Sequence, residues 1–304
     1  MIRDYINKLL ENIPIKKQSN PVKIDVIFGG GVFNGSYLVG IAYFLKEMEK
    51  KGLIKVERIS GCSVGSMVGL LYFADKLDLF SDLYTEILSG VKENYKLDYF
   101  RTFYRKVCPE LPDNLLDCIK DRFYINYYDI SKMKMIVKNK FTTVDSIFNS
   151  INKSCFVPLL INGSLLYKNK YMDGINPYIF PQTKERKILY VDLQGYDKLF
   201  HCINVKNEKT NFHRIILGIL DIHQFIIKNG ATSMCSYVND WSLFHLGYNF
   251  TKTCLEKLFV YIIYIIFCLH WWIPQTTYEN HVVYRIVKTI IYEIYKVFCD
   301  SYLL

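Results

Sequence analysis

VKIDVIFGGGVFNGSYLVGIAYFLKEMEKKGLIKVERISGCSVG, residues 22–65, decides the fold of this chain. Val22 to Phe28 is an apolar run that predicts a buried strand, and Gly29, Gly30 and Gly31 stop it abruptly. From Gly35 the period changes. Tyr37, Leu38, Ile41, Phe44, Leu45 and Met48 fall on one face of a helix, which Gly52 ends after a polar last turn. Lys55 to Ser60 reads as a second strand, followed by Gly61-Cys62-Ser63-Val64-Gly65 and an apolar helix from about Ser66 to Ala74. Strand, glycine turn, helix, strand, tight turn, helix is the order of a parallel sheet covered by helices.

Outward from that core the signals are more mixed. Residues 1–20 read as a short amphipathic helix ending before Pro21. Residues 75–140, rich in Tyr, Phe and Lys and broken by Pro109 and Pro112, read mostly as helices with a strand near Met133 to Val137. A helix near Val144 to Lys153 precedes Pro158; short strands around Ser164 to Tyr167 and Tyr171 to Met172 then lead into Asp173-Gly174. KILYVDL, residues 187–193, is another buried strand. Beyond residue 200 the chain is helical and aromatic, giving three parts: residues 1–20, a core at 21–200 and a C-terminal region at 201–304. Within the last part Leu258 to Ile273 is apolar except for His270; at 16 residues it falls short of the ~20 that span a bilayer as a helix. Three placements stay open for it: a core helix, an interfacial insertion and a span.

Composition narrows the classes. A chain of 304 residues that is 51% hydrophobic and 22% charged is neither disordered, collagen-like nor a small disulfide-stapled module. The net charge of +9 favours anionic partners, but there is no long basic block and no zinc-finger spacing, so a lipid surface is preferred to nucleic acid. Nine cysteines at irregular gaps without a CxxC read as reduced thiols of an intracellular protein. Apart from an isolated Cys268-x-His270 no ligand spacing occurs, so no metal site is expected. The N-terminal residues lack the continuous apolar stretch of a signal peptide.

Three motifs carry chemistry. Gly61-Cys62-Ser63-Val64-Gly65 is a G-x-S-x-G between strand and helix. A serine displayed on so sharp a turn needs small neighbours two residues away on each side, and the following helix points its unpaired N–H groups at the hydroxyl. Gly29-Gly30-Gly31-Val32-Phe33-Asn34-Gly35 fails as a dinucleotide fingerprint, because the required third glycine is Asn34 or the second is Val32. Its other use is an oxyanion hole of exposed loop amides. Asp173-Gly174 alone would be an ordinary turn.

In that order, the glycine loop, G-x-S-x-G and D-G resemble the patatin-like phospholipase family. Gly35-Ser36-Tyr37 with Gly40 resembles the family's first helix, and Ser154, Pro158 and Tyr171-Met172-Asp173-Gly174 its approach to an aspartate; Asn176-Pro177 resembles the exit. The resemblance covers about residues 22–195. It implies a three-layer α/β/α core with a mostly parallel sheet; the helical C-terminal region at 201–304 lies outside the resemblance, and its contact with membrane stays one of the open placements. It also implies a Ser-Asp dyad without histidine: Ser63 as nucleophile, Asp173 as base and an oxyanion hole from Gly29, Gly30 and Gly31, with Gly35, Gly61, Gly65 and Gly174 shaping the turns. Substrates would be phospholipids or other acyl-lipids, with no cofactor, no metal and no nucleic acid, at a cytoplasmic or peripheral membrane location; oligomeric state is not implied. Three positions depart from the family pattern: Val32 at a glycine, Asn34 at an Arg or Lys, and Ile175 at a Gly or Ala.

Two other readings use the same residues. A Ser-Asp-His hydrolase would draw on His201, His213, His223, His245, His270 or His281, all after Asp173 and none in a recognisable motif. A catalytically silent lipid-docking module on the same scaffold is motivated by the altered loop and the apolar segment at 258–273.

Overall fold

Val22 to Phe28 forms β1 (Val22–Phe28), buried from Ile24 onward, at the heart of a seven-stranded sheet. The computed structural model describes residues 2–13, 21–94, 99–161, 163–195, 198, 200–272 and 282–302. An opening helix, α1 (Ile2–Glu11), precedes β1, and the rest of the helix expected up to residue 20 lies outside the described residues from position 14 on. After β1 come α2 (Gly35–Lys50), β2 (Ile54–Gly61) and α3 (Val64–Phe73), close to the expected bounds.

The next stretch holds α4 (Leu79–Asn94), α5 (Phe100–Val107) and α6 (Leu115–Ile119), and then, where the sequence predicts helix, the strand β3 (Phe123–Asp129). β4 (Lys134–Lys138) follows as expected, then α7 (Val144–Ser154), β5 (Tyr171–Asp173) and β6 (Lys187–Val191). The strand expected at Ser164 to Tyr167 is reduced to one antiparallel bridge between Tyr167 and Tyr171. Past residue 200 the chain adds α8 (Phe212–Lys228), β7 (Cys235–Tyr237), α9 (Leu243–Trp272) and α10 (Val282–Tyr302).

The strands run in the order β4-β3-β2-β1-β6-β7, with β5 paired to β3 beside the end of β2. β1 is parallel to β2 and β6, and β2 to β3, while β4, β5 and β7 are antiparallel. Alternation along β1 divides the core: Ile24, Val26 and Phe28 join the cluster of α2, α3, α7 and α8, whereas Ile27 packs with Phe180, Tyr190 and Val238 on the opposite face. Helix α9 lies against Tyr128 and Met172 through Val260 and Ile263. Thus α8 and β7 continue the helix layer and the sheet beyond residue 200.

Two glycines set the closest helix contact. A Cβ on Gly40 would stand 2.0 Å from the Ile215 carbonyl oxygen, and one on Gly218 2.0 Å from that of Tyr37, so α2 and α8 touch backbone to backbone. The apolar segment of α9 is no core helix: Leu258 is 57% exposed and Leu269 50%, while Val260 and Ile263 are buried. Among the described residues no helix is long and apolar enough to cross a membrane. The cysteines that are described are free thiols, with Cys62, Cys155, Cys202 and Cys235 buried.

Candidate active site

Where β2 gives way to α3, Ser63 takes φ 51° and ψ −133°, a backbone conformation that costs a non-glycine residue roughly 1–3 kcal/mol. Both motif glycines answer to backbone approach. A Cβ on Gly65 would stand 2.4 Å from the Phe28 carbonyl oxygen, and one on Gly61 2.6 Å from that of Gly65. The strained turn is tied from several sides. Ser63 donates its amide to Ser154 Oγ at 3.0 Å, Ser154 Oγ donates to the Asn126 carbonyl at 2.7 Å, and Ser66 Oγ donates to the Ser63 carbonyl at 2.6 Å.

β3 explains how residue 173 reaches residue 63. Gly61 at the end of β2 pairs with Ile125, and two residues further along the same edge of β3 Tyr127 pairs with Asp173 of β5. The serine turn and the aspartate therefore follow one another along one strand edge. The Ser63 hydroxyl lies close enough to the Asp173 carboxylate to favour its ionised form, and the carboxylate accepts the Ile175 amide at 2.9 Å. Both side chains sit deep, Ser63 8% and Asp173 6% exposed. Burial raises the Asp173 carboxyl to about 6, against the downward pull of the Ser63 hydroxyl and the neighbouring backbone amides. Gly174 is required because a Cβ there would stand 2.3 Å from Asn126 Nδ2. Ile175, which replaces the family's small residue, is held at φ 53°, and its carbonyl accepts the Cys62 thiol at 3.3 Å.

The three glycines of the loop are not equivalent. Gly29 donates its amide to the Val191 carbonyl at 3.0 Å, so that amide is committed to the sheet. Gly30 backs the serine directly: a Cβ on it would stand 3.1 Å from Ser63 Cβ. The sulfur of Cys62 lies 3.3 Å from the same position. Gly31 accepts the Asn34 amide at 2.8 Å, and Val32 follows it at φ 44°, in the left-handed region where the family has glycine.

Beside Ser63 opens a cleft whose lining is almost wholly apolar, with Val32, Phe33, Met67, Leu83, Ile87 and Val157 among its walls. The histidines whose contacts are described lie elsewhere: His201 bonds Tyr37, His213 faces Glu208, His223 packs on Phe44 and His245 bonds Ser242. His270 and His281 have side chains outside the described residues.

Two residues of the site had no sequence signal. Asn126, fully buried on the unforeseen strand, donates to the Asn176 carbonyl at 2.7 Å and accepts the Tyr178 amide at 3.3 Å, fixing the loop after Asp173. Glu256 of α9 accepts from Asn176 Nδ2 at 2.7 Å; burial, with Asp173's charge as a lesser contribution, raises its carboxyl to about 7. Only a helical-face argument that knew the fold could have picked Glu256 out.

A serine on a strained strand-to-helix turn, close to a buried carboxylate and beside an apolar cleft, is an arrangement that α/β acyl hydrolases use. Residues 26–109 match the family model described as patatin-like phospholipase, consistent with that family, whose members are in general lipid acyl hydrolases. The matched stretch contains the glycine loop and Ser63, while Asp173 lies beyond it. The mixed α/β architecture with its mostly parallel sheet agrees with a patatin-like α/β/α core. No curated protein matches the chain.

Proposed function

We propose that this protein hydrolyses fatty-acyl esters of phospholipids or related lipids through an acyl-enzyme on Ser63. The observation that carries the reading is the approach of Ser63, on its strained turn, to the buried carboxylate of Asp173. In the first half-reaction Ser63 Oγ adds to the ester carbonyl carbon as Asp173 takes the hydroxyl proton. The tetrahedral oxyanion faces the amides of Gly30 and Gly31 and the N-terminus of α3; its collapse expels the alcohol, which leaves with the proton held by Asp173. In the second, water adds to the acyl carbonyl while Asp173 accepts its proton, and collapse returns the proton to Ser63 and releases the fatty acid. A carboxyl at about 6 is a stronger base than an ordinary aspartate, yet still ionised at neutral pH. The apolar cleft suits the acyl chain.

Membrane contact completes the reading. On α9 Phe250, Leu255, Leu258, Ile262, Ile265 and Leu269 are exposed, and on α10 Ile286, Ile290, Ile294 and Val297 form a second exposed stripe. Apolar faces of this kind, with a net charge of +9, suit peripheral docking on anionic lipid. The catalytic part then takes in residues 21–200 with α8 and β7, and the C-terminal helices supply the contact with lipid.

Fatty-acid release from mixed phospholipid vesicles, with chelator present, tests the reading in wild type, Ser63→Ala and Asp173→Asn. Release lost in both variants, each folded, is the expected result. Release unchanged in Ser63→Ala sinks the dyad. Binding without release by the wild type favours the silent docking module, and loss on replacing a single histidine favours the histidine-using hydrolase.

A further inference from the structure

We propose that Arg214 is a positioning residue for the reaction: it holds the Gly30–Gly31 loop in place through the side chain of Asn34. The inference rests on the hydrolase reading of Ser63 and adds to it a residue 180 positions from Asn34 in sequence.

Arg214 stands on the first turns of α8 and is 1% exposed. Its guanidinium is fully engaged. Nη1 donates to Asn34 Oδ1 at 2.7 Å and to the His201 carbonyl at 2.7 Å; Nη2 donates to the Asn204 carbonyl at 3.0 Å and to Glu208 Oε1 at 2.6 Å; Nε donates to both Glu208 oxygens at 3.0 and 3.1 Å. The group also lies 5.5 Å from the Tyr37 ring centroid. A buried ion pair of this kind gains little over well-packed apolar side chains, so what it offers here is a fixed geometry rather than stability.

That geometry is delivered to the loop. Asn34 is fully buried, and its amide closes the turn onto the Gly31 carbonyl at 2.8 Å. Its Nδ2 donates to the Leu193 and Lys198 carbonyls at 2.9 and 3.0 Å and meets Cys202 Sγ at 3.0 Å. Leu193 in turn is the neighbour a Cβ on Gly31 would strike at 2.8 Å. Asn34 therefore stitches the loop to the chain after β6, and Arg214 supplies the hydrogen bond that orients its amide. The backbone contact of Gly40 with Ile215 and of Gly218 with Tyr37 makes α2 and α8 one frame, so a donor on α8 is fixed relative to the start of α2. The same network reaches the cleft: Glu208 Oε2 accepts the Tyr84 hydroxyl at 2.6 Å, and Tyr84 lines the cleft with its ring against Phe33 at 5.7 Å. At the position where the family carries its own basic residue, this chain has an asparagine served by a guanidinium from another helix.

Arg214→Lys keeps the charge and removes the planar fork that bonds Asn34, His201, Asn204 and Glu208 together. The test measures kcat and KM on a short-chain p-nitrophenyl ester well below the unfolding temperature, with active sites titrated. A loop displaced by a fraction of an ångström lowers kcat by roughly 10- to 100-fold, with KM within about threefold. The pH midpoint of kcat/KM stays put, because the surroundings of Asp173 are untouched. If Arg214→Lys does not fold, Glu208→Gln, which loosens the guanidinium from the other side, gives the same split in smaller measure. A wild-type kcat per titrated site, with only the unfolding temperature lowered, overturns the inference. A wild type that turns over nothing, or a Ser63→Ala that turns over normally, overturns instead the reading on which it rests.

Discussion

Replacing Asp173 by Asn should abolish turnover and make the fold more stable at neutral pH. Burial raises this carboxyl from 3.8 to about 6, so the folded protein holds the proton more tightly than the unfolded chain does. The folded state then has its full advantage below pH 3.8 and loses it as pH rises through 6. The shift, 6 − 3.8, is about 2.2 units, or about 3 kcal/mol at 1.36 kcal/mol per unit. At pH 8 the wild type carries that whole penalty, and at pH 5 about half of it. Asparagine carries none. Its oxygen can keep the Ile175 hydrogen bond, while its new NH₂ group needs an acceptor, an offset of about 1–2 kcal/mol. Net stabilisation of about 1–2 kcal/mol at pH 8, shrinking toward pH 5, is therefore expected from urea unfolding of the two proteins side by side. An Asp173→Asn that is less stable than wild type at pH 8, or whose advantage does not change with pH, would refute this account of a buried carboxylate.

The same carboxyl sets the rate profile: kcat/KM should fall tenfold per pH unit below about 6 and be flat above it until the fold is lost, as a pH series on a soluble ester would read. Ser63→Gly should be inactive like Ser63→Ala yet more stable than it by about 1 kcal/mol, because only glycine accepts φ 51° without strain; thermal unfolding compares them. Gly65→Ala pushes a methyl to 2.4 Å from a carbonyl oxygen and should cost more than about 3 kcal/mol, whereas Gly90→Ala, in open space on α4, should gain about 0.5–1 kcal/mol. Destabilisation of both alike would argue against the close packing of the turn.

The region from β1 to α3 was legible because each of its residues carries a local signal. An apolar run, glycine stops and a clean change of period all occur within residues 22–74. β3 was not legible. FYINYYD has neither a clear alternation nor a run of aliphatic residues, and it becomes a strand because β2, β4 and β5 pair with it. With β3 hidden, the sequence order could suggest Ser63 and Asp173 as partners but gave no path by which they meet. Nor could it separate Gly29 from Gly30 and Gly31, since the distinction is a hydrogen bond to Val191 far along the chain. The bond between Asn34 and Arg214 is equally remote. For α9 the difficulty was different: its apolar segment from Leu258 has no polar face to read, and only the structure reveals which of its described residues, Val260 and Ile263, are buried.

The central claim is that Ser63 is a nucleophile activated by Asp173. A long-chain alkyl fluorophosphonate tests it directly, since attack on phosphorus expels fluoride and leaves a stable adduct that mimics the tetrahedral intermediate. Peptide mapping of the labelled wild type should place the adduct on Ser63, with no labelling in Ser63→Ala and labelling slowed at least about a hundredfold in Asp173→Asn. An adduct on another residue, or labelling of Ser63 that proceeds at the wild-type rate without Asp173, would contradict the account.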